Sequence, residues 1–233
     1  MSHAGRQTID GQVWHITQRC YKKQYFLDSE IDRRRWMYWL FQARKLHGLS
    51  VLNYVVTSNH VHLLVQDTGR FCLGASMRLI NNRTTSEFKR RRTIAGPVWH
   101  ASYQTTAIQT HEHLARCIAY MDMNMVRAGV VDYPSLWHTG GYYESLNPCK
   151  RGARIDYQAL RRLLQFDSDK ALLVARDNWI RQKLKNADLQ RESYWTESIA
   201  VGDLAFALRM KRALAYTHPG RRTQREVGCF AVR

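Results

Sequence analysis

The chain has 233 residues, of which 45% are hydrophobic and 24% charged, as in a globular protein with a buried core. Its 13 glycines and 4 prolines exclude collagen-like and low-complexity chains. The 36 Lys and Arg residues outnumber the 19 Asp and Glu residues, which leaves a net charge of +17. The excess is spread along the chain, since residues 1–144 carry 18 basic and 10 acidic side chains. A nucleic acid is therefore the first partner to expect, and an anionic membrane surface the second.

The N-terminal residues, the lengths of the apolar runs and the cysteines indicate the cellular compartment of the protein. Residues 1–6 lack an apolar signal core, and no run approaches the roughly 20 apolar residues of a bilayer span. The five cysteines are widely spaced and include no Cys-x-x-Cys pair, so they are predicted to be reduced and buried. The sequence thus predicts a soluble, cytoplasmic protein with no membrane partner.

Hydrophobic patterns in the first 130 residues predict alternating strands and helices: strand 12–20, helix 30–47, strand 50–57, strand 61–66, helix 73–92, strand 103–109 and helix 110–129. Asp28 and Ser29 offer an N-cap for the first helix, and Gly48 is placed to end it. This order is the ferredoxin-like α+β arrangement, a four-stranded antiparallel sheet with its helices on one face. The other face would be free to bind a partner.

Beyond about residue 140 the pattern changes. Three helices are predicted there, over residues 157–164, 170–184 and 203–214, and the basic stretch 220–225 is predicted to be a loop. We therefore divide the chain into an α+β domain of residues 1–145 and a basic, helical C-terminal extension of residues 146–233.

His60 and His62 are the best candidate for a site. They project from the same face of a predicted strand, because side chains on a strand alternate with a period of two. Two adjacent imidazoles can bind one divalent metal ion. His111 and His113 have the same spacing but lie at a predicted helix start, where side chains two apart diverge. On spacing alone, a pair of structural histidines is the alternative interpretation of His60 and His62.

The last predicted helix of the domain adds two further candidates. Tyr120 and Asn124 lie four residues apart and share a face, whereas Asp122 points elsewhere. A tyrosine hydroxyl can act as a covalent nucleophile, and an amide oxygen can complete a two-histidine site for Mg²⁺ or Mn²⁺. A half-buried aromatic residue beside a solvated asparagine is the alternative interpretation.

Two segments together carry a family resemblance. Residues 59–64 read Asn-His-Val-His-Leu-Leu and resemble the histidine–hydrophobe–histidine (HUH) motif of the single-tyrosine transposases. Residues 120–129 read Tyr-Met-Asp-Met-Asn-Met-Val-Arg-Ala-Gly and resemble their tyrosine helix. The similarity covers roughly residues 10–145 and is greatest to the REP-associated tyrosine transposases. Met125 replaces the proline of that family and Asp122 a frequent His or Tyr, and Met125 predicts a straighter helix.

The resemblance implies a transposase that cuts and rejoins single-stranded hairpin DNA from palindromic repeats. Tyr120 would form a 5′-phosphotyrosine and release a 3′-hydroxyl, and His60, His62 and Asn124 would hold Mg²⁺ or Mn²⁺. Basic side chains after the first strand and on the second helix are predicted to contact the DNA backbone: Arg19, Lys22, Lys23, Arg78, Arg83, Lys89, Arg90, Arg91 and Arg92. A monomer and a homodimer are both compatible with the sequence.

Three other functions fit parts of this pattern. A non-catalytic regulator would bind hairpin DNA or structured RNA on the same fold, without needing Tyr120. A metal-dependent hydrolase would use the histidines alone. Replication-initiator and relaxase nickases share the histidine motif, but a single tyrosine in this sequence context favours the transposase group.

Overall fold

The computed structural model describes residues 9–69, 72–93, 95–100, 102–148, 152–215 and 220–233. The expectations for residues 1–6 and for Cys149 lie outside these ranges. The strands are β1 (Val13–Arg19), β2 (Ser50–Val56), β3 (His60–Gln66), β4 (Gln104–Ile108), β5 (Ala200–Gly202), β6 (Thr223–Glu226) and β7 (Cys229–Val232). The helices are α1 (Glu30–His47), α2 (Cys72–Arg92), α3 (Glu112–Asp122), α4 (Asn124–Arg127), α5 (Gly141–Leu146), α6 (Tyr157–Leu164), α7 (Asp169–Lys185), α8 (Tyr194–Glu197) and α9 (Leu204–Ala213).

The described strands form one mixed sheet of seven strands in the order β2-β3-β1-β4-β5-β7-β6. The four strands predicted from sequence are present and pair antiparallel. The prediction of a four-stranded sheet is nevertheless wrong in extent, because β5 pairs parallel with β4 and brings β7 and β6 with it. The predicted loop 220–225 is also wrong, since β6 begins at Thr223. Strands of three or four residues are too short to show a reliable alternation of polar and apolar side chains.

Both faces of the sheet are covered in its first three strands. All seven residues of β2, six of the seven in β1 and five of the seven in β3 are buried. Successive side chains point to opposite faces, so burial this complete requires packing on both sides. The prediction of helices on one face and a free second face is therefore wrong. Helices of the C-terminal segment cover the sheet, with α6 packed on β2 and α8 packed on β1 and β4.

The helix termini show where local sequence decides the structure. Ser29 caps α1 by accepting a hydrogen bond from the Asp32 backbone N–H at 3.2 Å, and Gly48 ends that helix with φ of 70°. The predicted straight helix through residue 129 is wrong, because α3 ends at Asp122 and α4 begins at Asn124. Met123, with ψ of 0°, separates them. The break therefore forms without the proline that the family carries at position 125.

The larger of two hydrophobic clusters in the described part of the chain contains Trp36 of α1 and Trp195 of α8, both fully buried. A buried ion pair reinforces the packing of the C-terminal segment. Arg176 of α7 donates to both carboxylate oxygens of Asp122 at 2.7 Å, and Asn53 of β2 donates to the same carboxylate at 3.0 Å. We keep the division of the chain at residue 145 as a proposal.

Two further expectations concern the cysteines and the membrane. The four described cysteines are buried free thiols, as predicted. Every helix within the described ranges is too short or too polar to cross a lipid bilayer.

Candidate active site

His60 and His62 lie at the start of β3, with their ring centroids 5.0 Å apart. His60 is partly exposed where the strand begins, and His62 is buried. In the pairing of β3 with β1, Arg19 lies opposite His60 and Thr17 opposite His62. The strand therefore places the two imidazoles side by side, near the end of the sheet where the turn of residues 57–59 connects β2 to β3.

Hydrogen bonds at this turn determine which nitrogen of His60 carries the proton. Asn59 donates its side-chain amide to the Lys23 carbonyl at 3.4 Å, which turns the Asn59 amide oxygen towards His60. That oxygen lies 2.7 Å from His60 Nδ1, and the Thr57 hydroxyl oxygen lies 2.9 Å from it. Because an amide oxygen only accepts, Nδ1 is the donor. The Nε2 atom of neutral His60 then has a free lone pair.

A third histidine, His15 of β1, belongs to the same cluster. Its ring stacks on His62 with a centroid distance of 5.0 Å, and its Nε2 lies 2.9 Å from His62 Nδ1. The Thr17 hydroxyl is the other neighbour of His62 Nδ1, at 3.3 Å. His15 is absent from the site residues predicted from the sequence. The available signal was a polar residue inside a buried strand, but only the register between β1 and β3 reveals its partner.

All three imidazoles are neutral at pH 7. Burial lowers the pKa of His15 to about 4, and burial together with the charge of Arg19 lowers that of His60 to about 4. Burial, followed by the neighbouring charge of His60, holds the pKa of His62 well below its ordinary value. Neutral imidazole is the form that binds metal ions.

Tyr120 of α3 completes the cluster from the helix side. Its ring centroid lies 6.3 Å from that of His62 and 6.4 Å from that of His15, and the residue is only 3% exposed. The ring of Trp195 packs on it at 6.2 Å. The tyrosine and the histidines of this cluster all lie within one chain.

Arg127 of α4, which follows the break at Met123, contacts Tyr120 of α3. Its guanidinium lies 4.1 Å from the centre of the phenol ring, and its Nη1 donates to the Tyr120 carbonyl at 2.7 Å. Burial raises the pKa of Tyr120, and the positive charge of Arg127 acts in the opposite direction. The arginine therefore fixes the nucleophile candidate and favours its phenolate.

Asn124 is the first residue of α4 and is partly exposed, directly after the break at Met123. Asp122 lies in the buried ion pair with Arg176, consistent with the prediction that it points away from Tyr120. Within the ranges that the structure describes, no cluster of three or more His, Cys, Asp and Glu side chains could hold a metal ion. Two imidazoles and a neutral oxygen ligand form a donor set that fits a divalent ion, and Asn124 is the sequence candidate for that oxygen.

The predicted DNA contacts fall into three groups. Arg19, Lys22 and Lys23 are exposed beside the histidine turn, since the Lys23 carbonyl is bonded by Asn59. At the end of α2, Arg91 and Arg92 both form ion pairs with Asp32, whereas Lys89 is partly exposed and Arg90 exposed. Further back on α2, Arg78 is exposed and Arg83 stacks on Trp39 at 5.3 Å.

The C-terminal end of α2 lies at the histidine end of the sheet. Phe88 packs on Phe26 with ring centroids 5.2 Å apart, and the Leu27 N–H donates to the Ser58 carbonyl at 2.9 Å. Ser58 immediately precedes the Asn59–His60 pair. The structure thus brings Lys89 and Arg90 towards the site, whereas Arg78 lies about 18 Å back from Arg90 along the helix axis.

Fold and site together define an α+β protein in which two strand histidines and a helix-borne tyrosine meet at one surface of the sheet. Residues 9–124 match the model of the family described as IS200-like transposase. Over these residues the chain is similar to that family, and the expected resemblance to REP-associated tyrosine transposases is confirmed in the fold. No curated protein matches the chain at a significant level.

The solved structures that are similar to this chain include the following two. The first is a REP-associated tyrosine transposase bound to a REP hairpin, with 17% sequence identity and a TM-score of 0.52. That likeness covers 64% of this chain and 87% of the other. The second is a protein from Deinococcus radiodurans R1 provisionally named a transposase, with 16% identity, 49% and 91% coverage, and a TM-score of 0.37. At these identities the first likeness concerns the fold alone.

Proposed function

We propose that the protein is an HUH-type single-tyrosine transposase that cuts and rejoins single-stranded hairpin DNA through a 5′-phosphotyrosine at Tyr120. The observation that carries this proposal is the position of the Tyr120 ring, 6.3 Å from His62 on the surface that also presents His60. A nucleophile beside a pair of neutral imidazoles is the arrangement that metal-assisted phosphoryl transfer needs. The match of residues 9–124 to the model of the IS200-like transposases supports the same reaction.

The reaction exchanges one phosphodiester for another. The Tyr120 oxygen attacks the phosphorus, the bond from phosphorus to the 3′-oxygen breaks, and the phenolic proton is lost as the 3′-oxygen gains one. The products are a DNA 3′-hydroxyl and a 5′-phosphate linked to Tyr120. Attack by another 3′-hydroxyl on that linkage reverses the step and joins two strands. The number of ester bonds is unchanged, so no nucleotide cofactor is required.

The residues of the cluster divide this work. His60 and His62, with Asn124, would hold Mg²⁺ or Mn²⁺, which when bound supplies Lewis acidity to a phosphate oxygen. Arg127 orients Tyr120 and its charge favours the phenolate against the effect of burial. Trp195 covers the tyrosine ring and keeps water away from it.

A hairpin with a single-stranded flank is the substrate that suits the site. Tyr120 is buried, so the scissile phosphate must be carried in by a strand flexible enough to bend. Exposed cations border the histidine end of the sheet and can follow such a backbone. The hairpin bound by the structurally similar transposase supports this choice. We further propose that the protein acts in the cytoplasm and that a monomer is sufficient.

The test is a cleavage assay with labelled single-stranded oligonucleotides that carry the palindromic hairpins flanking the gene, in Mg²⁺ or Mn²⁺. We expect a covalent protein–DNA band that is lost in Tyr120→Phe and in His62→Ala. His113→Ala is the matched control, because His113 belongs to the other His-x-His pair, in the first turn of α3. It should retain nearly full activity.

Three outcomes would reject the proposal in different ways. Tight hairpin binding without a covalent band under any metal would favour the non-catalytic regulator. Cleavage that persists in Tyr120→Phe would favour a metal-dependent hydrolase. Equal losses in His62→Ala and His113→Ala would mean that the strand histidines have no special role.

A further inference from the structure

His15 is a buried histidine outside the motif that carries the family resemblance, and both of its ring nitrogens are engaged. Its Nδ1 lies 2.8 Å from the backbone carbonyl oxygen of Trp195 in α8. Its Nε2 lies 2.9 Å from Nδ1 of His62. The residue is 1% exposed, so water does not substitute for either partner. His15 therefore connects the C-terminal segment directly to one of the two motif histidines.

The carbonyl at one end of this chain fixes the protons along it. A carbonyl oxygen only accepts, so His15 Nδ1 must be the donor, and a neutral imidazole has one N–H. His15 Nε2 is then an acceptor, which requires that His62 Nδ1 carry the proton. His62 Nε2 is left bare, as is Nε2 of His60, whose Nδ1 donates to Asn59. Both motif histidines thus present the same nitrogen.

We propose that His15, held by the Trp195 carbonyl, is a positioning residue that fixes the tautomer and ring orientation of His62 and so keeps His62 Nε2 free to bind a metal ion. The inference rests on the proposed function for its purpose, but the tautomer it assigns is independent of catalysis. Hydrogen bonds of this kind behind a ligating histidine usually come from a carboxylate, a carbonyl or water. Here the partner of His62 is a second imidazole, that of His15, and the Trp195 carbonyl determines which nitrogen of His15 carries the proton.

Through the Trp195 carbonyl, the C-terminal segment contributes to the orientation of His62. The Trp195 carbonyl is held beside β1 by α8, which packs on β1 and β4, and by β5, which follows it in the sheet. A second hydrogen bond attaches the same segment to the sheet and does not involve His62. Thr106 of β4, which lies opposite His15 in the strand pairing, donates its hydroxyl to the Ser198 carbonyl at 2.6 Å.

This second hydrogen bond supplies a matched control. His15→Phe keeps an aromatic ring in the buried position but removes both nitrogens. His15→Gln restores an amide that can accept from His62 Nδ1. Thr106→Val removes a hydrogen bond to the C-terminal segment that is equally buried, yet leaves the path from Trp195 to His62 intact.

The first measurement is long-range ¹H–¹⁵N correlation NMR of the metal-free full-length protein at pH 7, with His62 assigned by loss of its signals in His62→Gln. We expect His62 protonated at Nδ1 in the wild type, Thr106→Val and His15→Gln. In His15→Phe we expect a mixture of tautomers, because the Thr17 hydroxyl at 3.3 Å is then the remaining neighbour of Nδ1. A wild-type His62 protonated at Nε2 would overturn the proposal.

The second measurement is Mn²⁺ binding by the same proteins, followed by electron paramagnetic resonance without DNA. We expect His15→Phe to weaken binding about 10- to 100-fold, as for other residues that orient a metal-ligating histidine. His15→Gln should recover most of the loss and Thr106→Val should bind as the wild type does. Equal affinity in His15→Phe and the wild type, or an equal loss in Thr106→Val, would overturn the proposal.

The two measurements separate this inference from the proposed function. A protein with the assigned tautomer and Mn²⁺ affinity that never forms a covalent adduct keeps the role of His15 and rejects the transposase reaction. A protein that forms the Tyr120 adduct while His62 is protonated at Nε2 keeps the reaction and rejects the role of His15.

Discussion

Two regions of this molecule contribute to the site in different ways. Residues 9–127 contain the side chains that would react or bind metal: His60, His62, Tyr120, Asn124 and Arg127. Residues 152–233 contain none of them, yet they supply the carbonyl bonded by His15, the ring packed on Tyr120 and the arginine paired with Asp122. Reactive groups can therefore be confined to one region while the packing that orients them depends on another.

The largest effect should separate a reacting residue from one that only covers it. Tyr120→Phe removes the nucleophile, and we expect adduct formation to fall by at least about 10⁴-fold. Trp195→Phe keeps the backbone carbonyl and an aromatic ring, so we expect a loss within about tenfold. Single-turnover cleavage of a hairpin oligonucleotide measures both. If both variants fold and lose the same activity, the distinction between a reacting region and a region that only packs on it would be contradicted.

The buried ion pair between α3 and α7 tests how strongly the regions depend on each other. Arg176→Met leaves the Asp122 carboxylate buried without its cation, and we expect a loss of about 3–5 kcal/mol in the free energy of unfolding. Arg181→Met is the matched control on the same helix, because Arg181 pairs with Asp177 at an exposed position, and it should cost much less than Arg176→Met. Urea unfolding gives both values. A similar small cost for both would mean that α7 is only loosely attached.

A smaller effect concerns pH and the histidine that bridges the regions. The pKa of His15 is about 4 in the folded protein and near 6.5 when exposed, so only the unfolded chain takes up this proton between those values. The contribution of neutral His15 to the free energy of unfolding is therefore fully present above pH 6.5. It is lost as the pH falls towards 4, and its total is about 3 kcal/mol. Unfolding free energies at pH 7 and pH 5 should differ less in His15→Phe than in the wild type. An unchanged difference would contradict the burial of a neutral His15.

The smallest effect compares exposed cations. Both regions carry an excess of positive charge, but Arg19 lies opposite His60 whereas Arg209 lies on α9, near the far edge of the sheet. We expect Arg19→Ala to weaken binding of the hairpin oligonucleotide several-fold and to reduce its salt dependence by about 0.7 in the log–log slope. Arg209→Ala should change neither. Equal effects would indicate that the DNA path extends over the C-terminal segment.

The same division explains how much the sequence predicted. Strands β1 to β4, α1, α2 and the shared face of His60 and His62 follow from periodicity and capping residues within single elements. The pairing of β5 with β4, the ion pair of Asp122 with Arg176 and the role of His15 depend on contacts between residues far apart in the chain. His15 and Trp195 are separated by 180 residues, and Asp122 and Arg176 by 54. No local pattern encodes such pairings.

The proposed function depends on a covalent bond between Tyr120 and DNA. The direct measurement is mass spectrometry of proteolytic peptides after incubation with a hairpin oligonucleotide and Mn²⁺. We expect a nucleotide adduct on the peptide containing Tyr120, attached through a 5′-phosphate, with a free 3′-hydroxyl on the released strand. Cleaved DNA with an unmodified Tyr120 peptide, or an adduct on another residue, would contradict it.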